Sequence, residues 1–243
     1  VILIGGRMTM FRNTISFIGN NFGFFAFVAV AYAVLDWAAD ASIPFALLVG
    51  LVLFVAGSVV DYLIYRRLLR RGALNPFRKG EAVDIRECIG FSLRSMALGT
   101  ISIAGPTLLA FLTTTFSVTS VEAGIALIIT SLLAAAVFEA LTFAYLGTWL
   151  PAYLYGQNTE FSAALRRGRN SFGSLSFRFL VLNISIAALA LLLPWLAGAL
   201  APDHVAWLDW LASGLFGNIL GLVAEVYFAI ALCQAYLTLE EIV

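Results

Sequence analysis

Three acidic residues, Asp61, Glu139 and Glu225, stand well inside apolar stretches of the chain. A carboxylate at the centre of a bilayer costs about 3 kcal/mol on insertion scales and more on others. A helix that retains one needs a cationic partner, a polar cavity or a bound proton. The acids follow similar residues: Val59 and Val60 before Asp61, Val137 and Phe138 before Glu139, Val223 and Ala224 before Glu225. Counted from Ile43, Val121 and Trp207, each lies 18 residues along its run. That is about 27 Å of helical rise, near one edge of a hydrocarbon core roughly 30 Å thick. Carboxyl groups gathered at one depth can bind a cation, relay protons or hold a headgroup amine. The same placement has a structural reading, in which each acid pairs with an arginine near the interface, where snorkelling lowers the cost. Arg94 and Arg178 begin the neighbouring helices and are candidate partners of Glu139 and Glu225. Asp61 has Arg66 on its next turn, with Asn20 and Asn21 nearby and Arg12 further out.

Other chemistry has little to work with. The single histidine, His204, sits beside Asp203 on a predicted loop, and the single lysine is Lys79. Bis-histidine haem ligation, a histidine-rich metal site and a retinal Schiff base inside a bundle are excluded. No phosphate-binding loop or dinucleotide fingerprint is present, and no serine or cysteine has a nearby base. Cys88 and Cys233 are far apart and give no disulfide framework. The expectation is a non-enzymatic chain without cofactor, metal or nucleic-acid partner.

The elements that position the acids follow from composition. The 243 residues are 62% hydrophobic and 12% charged, against roughly 25% charged in a soluble domain. Runs of about 20 apolar residues, long enough to cross a bilayer, occur at 21–37, 43–65, 96–113, 121–147, 177–200 and 207–232. The links 38–42, 114–120 and 201–206 are short enough to be hairpin tips. The predicted fold is an all-α membrane protein of six transmembrane helices arranged as three hairpins, in one membrane domain covering 1–243.

Arginine and lysine orient it. All 14 lie in the N-terminal segment, the connections after the second and fourth runs, or the helix ends beside them. The tips carry Asp36, Asp40, Glu122, Asp203 and Asp209 instead. The positive-inside rule then puts both termini in the cytoplasm, and Trp37, Trp195, Trp207 and Trp210 mark the outer boundary, with Trp149 at the inner one. No cleavable signal peptide is expected.

Each predicted hairpin is preceded by a cytoplasmic amphipathic segment. Phe11, Ile15, Ile18 and Phe22 form a stripe at helical spacing, repeated by Ile85, Ile89, Ser92 and Met96 and by Phe161, Leu165, Gly168 and Phe172. Candidate repeats are 8–72, 80–155 and 158–243, parallel copies about an axis along the membrane normal. The bland alternative is six unrelated helices of similar composition. The amphipathic segments would lie in the interface, with Arg166, Arg167 and Arg169 toward anionic headgroups, or serve only as basic loops. Ser213, Gly217 and Gly221 form a small-residue seam for helix packing, within the chain or against another protomer. Asn183 and Asn218 can bond between helices, and Pro106, Pro151 and Pro194 kink or end them.

The stretch 145–172, YLGTWLPAYLYGQNTEFSAALRRGRNSF, resembles a recurring segment of bacterial membrane proteins. These are the membrane domain that accompanies some glycerophosphodiester phosphodiesterases and the related YciC-like inner-membrane proteins. In them a helix ends in an aromatic stretch with proline, a polar turn follows, and an Ala-Leu-basic amphipathic helix leads into the next crossing. Here those parts are Trp149 to Tyr155, Gly156 to Glu160 and Phe161 to Arg169. The match covers about an eighth of the chain and its motifs are not catalytic. It implies a bacterial inner-membrane protein and no hydrolase.

Two function classes follow. The leading one is an accessory, scaffolding or assembly subunit acting through helix contacts, anionic lipid and a membrane-protein partner or second copy. The other is a small transporter or lipid-handling protein using the three acids.

Overall fold

In the absence of water, every backbone N–H and C=O of a spanning segment must be satisfied within it, and a helix does this with any apolar sequence. The computed structural model describes residues 9–39, 43–70, 74, 83–114, 121–156, 159–200 and 214–240. All elements among them are helices: α1 (Thr9–Asn20), α2 (Phe22–Ala39), α3 (Ile43–Arg70), α4 (Ile85–Thr114), α5 (Val121–Leu146), α6 (Trp149–Tyr155), α7 (Phe161–Leu200) and α8 (Phe216–Glu240). Six of them, all but α1 and α6, are long and apolar enough to cross a membrane. The chain is a multipass membrane protein.

The spanning helices close a ring. α2 packs on α3, α3 on α4, α4 on α5, α5 on α7, α7 on α8, and α8 returns to α2 while also touching α3. Outward positions carry Phe27, Leu47, Leu51, Leu108 and Phe177, all well exposed. That surface suits lipid and would be costly in water. The best-buried helix is α8, whose Val226, Phe228 to Cys233 and Tyr236 are enclosed by α1, α2, α3, α6 and α7.

Gly147 and Thr148 separate α5 from α6, as the proline-bearing sequence there predicts. Pro151 falls in the first turn of α6, where a missing N–H removes no intrahelical bond. Gly156 then ends α6 with a left-handed φ of 80°, its N–H donating to the Ala152 carbonyl. Pro106, by contrast, is carried inside α4 without ending it.

Three expectations change. The amphipathic stretches at 85–96 and 161–172 are not separate interfacial helices. Nothing in them breaks the backbone ladder, so each forms the first turns of a continuous helix, 30 residues in α4 and 40 in α7. Only α1 stands apart. Phe11, Ile15, Ile85, Ile89, Phe161 and Leu165 are nevertheless exposed, with Arg12, Arg86, Arg166 and Arg169 beside them.

The second change concerns the last span, which continues to Glu240 instead of stopping at Leu232. Its polar end is held by an ion pair of Glu240 with Arg167 at 3.3 Å.

The third change concerns close packing. Among the described residues a methyl group on Gly217 or Gly221 would meet nothing within 4 Å, so these glycines form no tight seam with them; Ser213 lies outside the described residues. Close approach occurs at Gly168 of α7, which abuts the α5 backbone at Tyr145, while Ala136, Ala140 and Ala144 are buried along the same helix.

A methyl on Gly168 would overlap the Tyr145 carbonyl oxygen and come within 2.6 Å of its carbonyl carbon. Backbone cannot rotate away as a side chain can. Gly168→Ala is therefore expected to lower stability by about 1–3 kcal/mol, outweighing the roughly 1 kcal/mol helix-propensity gain. Gly217→Ala keeps only the gain. Thermal unfolding in detergent micelles checks both, and equal midpoints would contradict the α5–α7 contact.

Candidate functional site

The ring encloses a cavity of about 620 Å³, lined by α2 to α8. All three intramembrane acids line it: Asp61 from α3, Glu139 from α5 and Glu225 from α8. Helical spacing explains why they share the inside face. Ser58, Asp61 and Tyr65 of α3 are three and four residues apart, as are Leu132, Ala135, Ala136, Glu139 and Phe143 of α5, so each set forms one stripe. On α4 the stripe is Ser95, Gly99, Ser102 and Pro106.

The acids are met by neutral donors. The Ser95 hydroxyl donates to Asp61 Oδ2 at 2.7 Å, and Asn183 Nδ2 of α7 donates to Glu139 Oε2 at 3.0 Å. Asn183 also reaches the Ala136 carbonyl at 3.3 Å. Glu225 Oε2 is fully buried and has no hydrogen-bond partner among the described residues, and the same holds for the Tyr32 hydroxyl. That hydroxyl lies over Gly57, one turn from Asp61; a methyl there would sit 3.7 Å from it. Asp61, Glu139 and Glu225 are mutually within electrostatic reach, and Tyr32 is within reach of Asp61 and Glu225.

The expected arginine caps are used elsewhere. The Arg94 guanidinium lies over the Tyr153 ring at 4.0 Å and the Trp149 ring at 5.2 Å, and donates to the Gly90 carbonyl at 2.7 Å. Arg178 donates to the Met10 sulfur at 3.2 Å. Both long side chains turn toward the arginine-rich end, away from the ring interior, where their heads need less desolvation. Asn20 and Asn21 bond within α1, to Ser16 and to the Phe17 carbonyl. Arg167 is another correction. Successive helical residues are rotated by about 100°, so Arg166 and Arg169 face outward while Arg167 between them is buried against Glu240 and the Tyr236 ring. Of the three, Arg166 and Arg169 are exposed.

α6 forms the floor. Leu150 lines the cavity below the acids, with Tyr65, Phe143 and Phe228. Arg70 donates to the Leu154 carbonyl at the end of α6 and pairs with Glu87 of α4 at 2.6 Å. Tyr62 donates to the other Glu87 oxygen at 3.1 Å. Trp149 Nε1 donates to the Thr159 carbonyl at 2.8 Å. Arg94 and Arg70 thus pin the short helix across the arginine-rich end of the ring. At the other end Asn218 bonds Asp36 at 2.8 Å, joining α8 to α2.

Ser95 and Tyr32 were not singled out from sequence, and Asn183 was named only as a residue able to bond between helices, without its acceptor. The signal that could have found them is the phase of polar and small residues along each span, since Ser95, Gly99 and Ser102 mark an inward stripe as Asp61 does. No protein-family model, curated protein or solved structure matches the chain.

Interhelical hydrogen bonds in membranes contribute on average about 0.6 kcal/mol and up to about 1.7. Asn183→Ala is expected to cost an amount in that range, and a double-mutant cycle with Glu139→Ala, which removes the acceptor, should recover a coupling of similar size. Tyr32→Phe removes a hydroxyl with no partner among the described residues and should leave ligand-free stability unchanged or higher. Chemical unfolding in mixed micelles measures both, and a larger loss from Tyr32→Phe would contradict the assigned contacts.

Proposed function

We propose that this chain is a small transporter or lipid-handling protein that receives a positively charged group in the cavity at Asp61, Glu139 and Glu225. The observation that carries the reading is the convergence of three carboxyl groups from three helices on one cavity, supplied with a serine and an amide in place of arginines. An accessory or scaffolding role would leave each acid capped for structural reasons alone. The engagement of Arg94 with Tyr153 and of Arg178 with Met10 favours a carrier over a scaffold.

A cavity of about 620 Å³ is in the range of small-molecule sites, roughly 300–1,000 Å³. Intramembrane acids that face a bundle interior are rare and mark substrate or ion pathways. We assign no catalytic step to this set.

The clustering of arginines at one end supports a bacterial inner-membrane setting with both termini cytoplasmic, as does the resemblance at 145–172 to YciC-like proteins. Arg166 and Arg169, beside the exposed Leu165, suit contact with anionic headgroups. Gly221 lines the cavity one turn above Glu225, so the open space at this glycine belongs to the interior. In a threefold-repeat reading, each repeat contributes one acid to the shared interior.

The test is uptake into proteoliposomes under an inside-negative potential, with cationic reporters ranging from tetramethylammonium to ethidium. At least one should accumulate above empty vesicles, and Asp61→Asn or Glu225→Gln should cut its initial rate at least tenfold. Asp36→Asn, outside the cavity, should not. Accumulation equal to empty vesicles across the range would remove the carrier reading.

A further inference from the structure

The carboxyl side chains of the cavity lie in one layer. α3 lines it from Leu53 to Tyr65, a rise of about 18 Å. Asp61 lies two-thirds of the way down, and Glu139, Glu225, Ser95 and Asn183 join it from the other helices. Towards the other end the lining is Leu53, Phe54, Ile103, Pro106, Leu132 and Ile186. Below the acids the floor is aromatic, with Phe143 and Phe228 ring centres 5.5 Å apart.

Three features decide among cations. A bare metal ion needs oxygen ligands converging at about 2.0–2.6 Å, and no group of three or more His, Cys, Asp or Glu among the described residues is so placed. The volume is many times the roughly 30 Å³ share of one water. Among the described residues the upper half adds the Ser102 hydroxyl, which donates to the Leu98 carbonyl, and one such group makes no path for a hydrated ion or a proton relay. What the lining complements is a molecule with one cationic end and an apolar body. The buried, unpartnered Glu225 Oε2 and Tyr32 hydroxyl await polar contacts at the cationic end, and the floor rings can face a quaternary or primary ammonium.

We propose that the occupant of this cavity is an amphipathic amine or ammonium compound, its head among Asp61, Glu139, Glu225 and Tyr32 and its apolar part along the wall of Leu53, Phe54, Ile103, Leu132 and Ile186. This rests on the carrier reading above and narrows its substrate class. The head belongs either to a free lipophilic amine or to an amine-bearing lipid headgroup, which share this chemistry.

The experiment titrates the full chain in phosphatidylglycerol nanodiscs, with empty discs subtracted. The probes are tetramethylammonium, octyltrimethylammonium and octyl sulfate. Octyltrimethylammonium should bind at least tenfold more tightly than either of the others, and Glu225→Gln should weaken it at least tenfold. Equal affinity for tetramethylammonium and octyltrimethylammonium would overturn this inference while leaving the cation-binding reading intact. Binding of neither cation would overturn both. Octyl sulfate binding as tightly as its cationic counterpart would show an apolar cleft indifferent to charge and overturn the inference. The wild-type series decides the matter if Glu225→Gln does not fold. Adding phosphatidylethanolamine to the discs separates the sources. Competition with the probe supports the inference with a lipid headgroup as occupant, and its absence supports it with a free amine.

Discussion

Placing three carboxyl groups inside a ring of apolar helices is the constraint on which this structure depends. Lipid supplies no hydrogen bonds, so each polar atom placed inside the ring must find a partner from another helix or be left wanting one. Asp61 is met by Ser95, and Glu139 by Asn183, whereas the buried oxygen of Glu225 and the Tyr32 hydroxyl are left without a partner among the described residues. The asymmetry matters more than the count. A protein shaped only for stability would have little reason to keep a buried carboxyl oxygen unsatisfied, because such a group costs about 1–3 kcal/mol.

The same constraint explains how the two classes of charge separate. Arginines gather at one end of the ring and are accommodated by aromatic faces, carbonyl groups and acids near that end: Arg94 on Tyr153 and Trp149, Arg70 on Glu87 and Leu154, Arg167 on Glu240 and Tyr236. Their long stems let the heads reach the edge of the apolar layer. The short acids on α3, α5 and α8 cannot follow them out. α6 lies between the two populations, its Leu150 below the carboxyl layer and its outer aromatic residues under Arg94. A seven-residue helix so placed separates the cavity from the arginine-rich end.

Much of the architecture was legible in the sequence. The lengths of apolar runs fix helices, since hydrocarbon permits little else, and five of the six runs match a spanning helix at the end that faces the predicted tip, to within two residues. The residue count that set the acids at like positions along their runs is consistent with their lining one cavity. Rotation about the helix axis was harder to read. Whether Arg94 faces Glu139 or α6, and whether Arg167 faces lipid or Glu240, depends on how neighbouring helices are turned, and one helix's own spacing does not encode that. Gly217 and Gly221 show the same limit, since a GxxxG spacing says which face is smooth but not what covers it. Helix ends at 85 and 161 were missed because the change from amphipathic to apolar character alters the surroundings of a helix without interrupting its backbone. Asn183 was recognised as a bonding residue, but its acceptor became evident only when α5 and α7 were placed side by side.

The central claim is that Asp61 and Glu225, remote in sequence, face one another across a common interior. It is tested most directly with a cysteine pair at these two positions, in a chain whose Cys88 and Cys233 are replaced by serine, treated in its native membrane with a short bifunctional thiol reagent. The account predicts an intramolecular cross-link for the pair, and none when the second cysteine is placed at outward-facing Ile219. Absence of the link at 61 and 225, with both thiols shown to react singly, would contradict it.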